Sequence, residues 1–134
     1  MLNDYSYKGF STQIRTSKGL YLSTIDIEKF MEILKHVGFS KIKVYKREVD
    51  CYLLIGEIDG EQVLISVRRG SSSNKLVAKV ALAYKLPHTY WSCIYMEYAP
   101  QGLYVFRDSS DELAKDVVMK CKKLIEISKR ESIH

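Results

Sequence analysis

Ile27, Phe30, Met31, Leu34 and Val37 recur at intervals of three and four, the spacing of one face of an α-helix. Thr24 or Asp26 stands where an N-cap belongs, and Gly38 follows the run as a C-terminal stop. Before this helix, Ser11–Thr16 and Leu20–Ser23 flank Ser17-Lys18-Gly19, which predicts a hairpin with glycine in the turn. After it, Lys41–Tyr45 predicts a strand and Val49–Ile58 a second. Asp59-Gly60 is a strong hairpin signal, and Glu61–Arg69 returns as a third strand. In that strand Val63, Ile65 and Val67 share one face, while Leu64, Ser66 and Arg68 share the other.

Gly70–Asn74 predicts a loop. Leu76, Val77, Val80, Ala81 and Tyr84 then fit the rows of a helix closed by Pro87, which would put Lys75 and Lys79 on a common face, although the density of Val and Leu also allows a strand. Thr89–Tyr98, dense in aromatic and β-forming residues, predicts a strand. Ala99-Pro100-Gln101-Gly102 predicts a turn, and Leu103–Arg107 the strand that completes the hairpin. Ser109 and Glu112 form a capping box, S-x-x-E, ahead of a last helix whose apolar stripe is Leu113, Val117, Cys121, Leu124 and Ile125. The order ββ-α-βββ-α-ββ-α implies an α+β fold, a mixed sheet flanked by helices. The expected organisation is one domain over 1–134, with a hairpin at 11–23, a core at 26–107 and a C-terminal helix at 109–130.

Composition fits this picture. With 46% hydrophobic and 28% charged residues, the 134-residue chain is globular rather than disordered. Cys51, Cys93 and Cys121 are odd in number, far apart and without a C-x-x-C pair or a His at metal-ligand spacing. The expectation is buried free thiols in a reducing, cytoplasmic compartment. No apolar stretch approaches the roughly 20 residues that span a bilayer, and the first ten residues do not read as a signal peptide, so no membrane partner is expected.

Charge changes the picture more. The formal net charge is +5. No acid lies between Glu61 and Glu97, a window that holds Arg68, Arg69, Lys75, Lys79 and Lys85. These five form the candidate nucleic-acid-binding set, since a local positive field suits a polyanion. The generic alternative is a solvated face of a basic protein. The ten tyrosines suit strands, a half-exposed interface, or stacking on bases.

Catalytic signals are sparse. None of His36, His88 and His134 stands in a recognisable catalytic setting, and neither a G-x-S-x-G elbow nor a phosphate-binding glycine loop is present. Glu57, Asp59 and Glu61 cluster at the hairpin tip, where solvation explains them. One wider pattern remains. Glu28 lies in a helix ending Lys35-His-Val-Gly-Phe39, followed by Val49-Asp50-Cys-Tyr-Leu-Leu, the Asp-Gly hairpin and Val63-Leu-Ile-Ser66-Val-Arg68. Then come a predicted helix, Trp91-Ser-Cys-Ile-Tyr and Gly102-Leu-Tyr-Val-Phe. This resembles the PD-(D/E)xK, or restriction-endonuclease-like, nuclease core, in particular archaeal Holliday-junction resolvases, over about Asp26 to Arg107.

The resemblance implies that Glu28 matches the helix acid and Asp50 the metal-binding aspartate. Ser66 stands in place of the second metal-binding carboxylate, and Arg68 in place of the catalytic lysine. Some relatives recruit a Glu from the next helix, but residues 75–86 contain no acid. Arginine stays protonated and grips phosphate rather than shuttling protons. The expectation is therefore a nuclease-like domain that binds nucleic acid, DNA in the first place, by shape or backbone and without a complete catalytic site. No cofactor is then needed, and Mg²⁺ enters only if the chain cleaves, with Glu28, Asp50 and Glu57 as its acids. The alternative is a protein-interaction module, a homodimer formed through the Tyr-rich segments Thr89–Tyr98 and Leu103–Phe106.

Overall fold

The structure, a computed structural model, describes residues 25–70 and 75–133. Helix α1 (Ile27–Val37) is followed by strands β1 (Lys41–Glu48), β2 (Cys51–Ile58), β3 (Glu61–Arg69) and β4 (Leu76–Leu82). Two single-turn 3₁₀ segments, Ala83–Lys85 and His88–Tyr90, lead to the short helix α2 (Cys93–Tyr98). Strand β5 (Leu103–Arg107) and the long helix α3 (Ser110–Ile133) complete the described chain. The fold class is α+β, as the sequence predicts. The sheet, however, is wholly antiparallel, with strands in the order β1-β2-β3-β4-β5, so that each pairs with its neighbour in sequence. The hairpin expected at 11–23 lies outside the described residues.

Local chemistry explains the elements that match. Asp26 caps α1 by accepting from the Lys29 N–H at 3.1 Å, and the Gly38 N–H closes the helix on the Leu34 carbonyl. Asp59 and Gly60 both take positive φ, the pairing that a tight two-residue hairpin with right-handed twist requires. Ser109 accepts from the Glu112 N–H at 3.2 Å, as the capping box predicts.

Two elements correct the sequence reading. Residues 76–82 are a strand, not a helix. β4 is buried on both faces from Val77 to Leu82, and such a strand reads as a nearly continuous apolar run that also satisfies helical spacing. The converse error falls on Thr89–Tyr98, whose β-forming residues turn and then coil into α2. Ser92 caps that helix, its hydroxyl accepting from the Tyr95 N–H at 3.3 Å.

The sheet separates two cores. On one face Phe30 and Leu34 of α1 and Leu113, Val117 and Cys121 of α3 pack on Leu54, Val63, Ile65, Val67 and Val80. The other face, carrying Leu53, Ile55, Leu64 and Ala81, is covered by Leu86, Trp91, Cys93 and Met96 from the segment that ends in α2. On the first face, Gly56 leaves room for Phe39, since a Cβ there would come within 2.8 Å of that ring.

The cysteines supply a further correction. Cys51 and Cys93 are joined by a disulfide, with Cα atoms 6.4 Å apart and a sequence separation of 42. Closing a loop of that length removes about 4 kcal/mol of unfolded-chain entropy in the chain-entropy account. Cys121 alone is a free thiol, and burial pushes its pKa up to about 12. The pairing is hidden in the sequence because Cys93 reads as part of a strand, whereas it starts a helix folded over β2.

Candidate interaction surface

Strand alternation sets which side chains meet on the α2 side of the sheet. Cys51 stands opposite Arg68, Ser66 opposite Lys79, Lys79 opposite Tyr104, and Val77 opposite Phe106. α2 is fastened above these rows at several points. Besides the disulfide, the Cys93 N–H donates to the Glu48 carboxylate at 2.8 Å, and the Tyr104 hydroxyl donates to the Glu97 carbonyl at 2.7 Å. The Arg68 guanidinium pairs with the Glu97 carboxylate, and the Lys79 ammonium donates to the Ala99 carbonyl. Lys79 also lies 5.1 Å from the centre of the Tyr104 ring.

This arrangement relocates the five cations singled out from the sequence, and they do not share one patch open to solvent. Arg68 is mostly covered and neutralised by Glu97. Arg69, the next residue, falls on the opposite face of β3 by alternation. Lys75 pairs with Asp108 at 3.1 Å, and Lys85 with Glu131 near the end of α3 at 3.1 Å. Lys79 is only 3% exposed. Its pKa is pushed down by desolvation, against which Glu97 acts. The acids that neutralise this window come from parts of the chain remote in sequence. Glu97 offered the one available signal, since it is the first acid after Glu61.

The nuclease candidates are likewise separated. Ser66 and Arg68 do share a face, as alternation predicts, but Ser66 is buried beneath α2. Glu28 is exposed on α1, which packs on the other side of the sheet. Asp50 is exposed in the β1–β2 turn at φ 58°. Glu57 accepts from the Ser40 hydroxyl at 3.3 Å and lies 4.0 Å from Lys41. Among the described residues no three His, Cys, Asp or Glu side chains gather in a way that could hold a metal ion. Glu28, Asp50, Ser66 and Arg68 are thus not brought together into one site.

The Tyr-rich segments Thr89–Tyr98 and Leu103–Phe106 carry a run of exposed rings. Tyr90 and Tyr95 pack 5.2 Å apart, and Tyr104 and Phe106 stack at 5.8 Å. Between these pairs α2 presents Ile94 and Tyr98, which are 62% and 84% exposed. Thr89–Tyr98 and Leu103–Phe106 thus lie side by side, although the first is not a strand. The charged groups at the centre, Arg68, Lys79 and Glu97, are all engaged from below.

A second set of side chains sits at the β1 edge. Lys41, Lys43 and Lys46 face the α2 side, opposite Glu57, Ile55 and Leu53, and a bulge between Val44 and Lys46 carries Tyr45. Tyr45 meets Trp91 edge to face at 5.3 Å, and His88 lies 4.2 Å from the same indole. No helix among the described residues is long and apolar enough to cross a membrane. Comparison with protein-family models, with curated proteins and with solved structures returns no match to this chain.

Proposed function

We propose that this chain is a protein-interaction module that associates with a second copy of itself through the aromatic face of α2 and β5. The observation behind it is the run Tyr90, Ile94, Tyr95, Tyr98, Tyr104 and Phe106, exposed together with no free charge at its centre. Monomeric surfaces rarely leave such apolar patches contiguous, and the cores of interfaces are enriched in rings and poor in charge. A ring is also a favourable contact group, offering large area for few rotatable bonds. A twofold arrangement that sets the face against itself is the simplest closed assembly. The disulfide favours an oxidising setting, where such bonds persist, over the cytoplasm that three free thiols would suit.

Size-exclusion chromatography with light scattering across a concentration series tests the reading. The wild-type chain is expected to reach dimer mass, and Tyr98→Glu to remain at monomer mass with an unchanged far-UV spectrum. A wild-type chain that stays monomeric at all concentrations refutes it.

One observation supports nucleic-acid binding as a second reading. Lys43 and Lys46 are exposed, make no ion pair among the described residues, and flank the Tyr45 ring. Basic side chains interleaved with a ring suit single-stranded nucleic acid. On this reading Lys43→Glu with Lys46→Glu abolishes binding. Neutral replacements made one at a time lower the log–log salt slope by about 0.7 for each phosphate no longer neutralised. Binding that ignores salt counts against it.

A further inference from the structure

The hold of α2 on the sheet is uneven. Only Cys93 and Met96 of its six residues are buried, while Ile94, Tyr95 and Tyr98 point away. A helix of this length has no stability of its own in water, since isolated helices below about 12 residues are marginal. Its other ties are the Met96 side chain, buried in the smaller core with Leu53, Leu64 and Trp91, and single polar contacts from Glu48, Arg68, Lys79 and Tyr104, each of which water can replace once the helix lifts. The larger core, between the sheet and helices α1 and α3, contains no residue of α2. Cutting the bridge therefore removes the one cross-link to an element that contributes Cys93 and Met96 to the smaller core and nothing to the larger one, which holds α1 and α3 on the sheet.

We propose that the Cys51–Cys93 disulfide is a redox latch on α2, whose opening releases Cys93–Tyr98 from the sheet and bares Lys79 while both outer helices and the sheet stay folded. The reductant is a dithiol. One of its thiolates attacks a bridge sulfur and forms a mixed disulfide, and its second thiol resolves that bond. Two electrons and two protons pass to the protein, leaving Cys51 and Cys93 as thiols and the reductant as a disulfide. Cys121 takes no part, being buried on the opposite face of the sheet. Lys79 reports the opening because its one hydrogen-bond acceptor among the described residues, the Ala99 carbonyl, lies directly after α2 and leaves with it. The latch stands whether or not the aromatic face self-associates, and the measurements below do not depend on dimerisation.

The test treats the full chain with dithiothreitol. Alkylation and mass measurement count the thiols, while amide exchange and acetylation of Lys79 are followed by peptide mapping. With the bridge closed, the α2 amides and Lys79 are expected to be protected. With three thiols free, the amides of Cys93–Ala99 should exchange and Lys79 should acetylate about tenfold faster or more, while Leu53–Ile58 and Val63–Val67 remain protected. Cys93→Ser should show the open pattern without reductant. The proposal is overturned if α2 and Lys79 stay protected after the thiols are freed. It is equally overturned if β2 and β3 lose protection together with α2, or if dithiothreitol leaves the bridge of the folded chain intact.

Discussion

Lys79 holds an ammonium against the Ala99 carbonyl at 3% exposure, and loss of hydration lowers its pKa from 10.5, with Glu97 only partly opposing the effect. Between the lowered folded value and 10.5, the unfolded chain binds more protons than the folded one. The Lys79 contribution to stability therefore rises as pH rises through that window and is least favourable at neutral pH. Lys79→Met removes this dependence. Relative to wild type, the variant should be more stable at pH 7 than at pH 10, as denaturant titrations at the two values would show. Gly102 makes a steric prediction at the same scale. It lies at φ +101°, and a Cβ there would approach the Val80 carbonyl oxygen to 2.4 Å. Gly102→Ala should cost roughly 1–3 kcal/mol and unsettle the entry to β5, visible in the denaturation midpoint.

Helix caps and tight turns were legible because their chemistry is local. Asp26, the Asp59-Gly60 pair and the Ser109–Glu112 box each satisfy backbone groups within a few residues of themselves. Ser109→Ala should accordingly lower stability by about 1 kcal/mol without changing the fold. Elements decided by burial were not legible. β4 is covered on both faces, so neither alternation nor a polar side survives in residues 77–82 to mark it as a strand. Its one polar member, Lys79, suits a solvated helix face by sequence and is in fact under α2. α2 itself is made helical by the Ser92 cap and by what it covers, against the β preference of its own residues. Arg68→Ala tests that dependence. Leaving Glu97 half-buried without its partner should cost about 1 kcal/mol and raise amide exchange in α2 before any other element.

At the scale of the whole molecule, the sequence showed where positive charge was dense but not where its counter-charges would fall. Asp108 comes from the turn before α3, Glu131 from near the end of α3, and Glu97 from a helix whose residues favour a strand. Arg68→Glu with Lys79→Glu would test polyanion binding cleanly only if both residues lay on the surface. Beneath α2 the pair of changes places two carboxylates beside Glu97 and should destabilise the domain, so that a drop in melting temperature accompanies any loss of binding. Among the described tyrosines, Tyr90, Tyr95, Tyr98 and Tyr104 gather on the α2 side of the sheet, which their count alone did not show.

The two rims of the sheet are unlike. Among the described residues, β1 borders it with Lys41, Lys43, Lys46 and Arg47 and a bulge at Tyr45, while β5 borders it with Tyr104 and Phe106. Lysines and bulges discourage another chain from continuing the backbone ladder, so one rim repels addition and the other tolerates it. The described residues therefore offer one permissive rim and one guarded rim. Were the proposed dimer to join two copies at that rim, the pair would present only its guarded sides, so that growth would stop at two rather than run on into fibres.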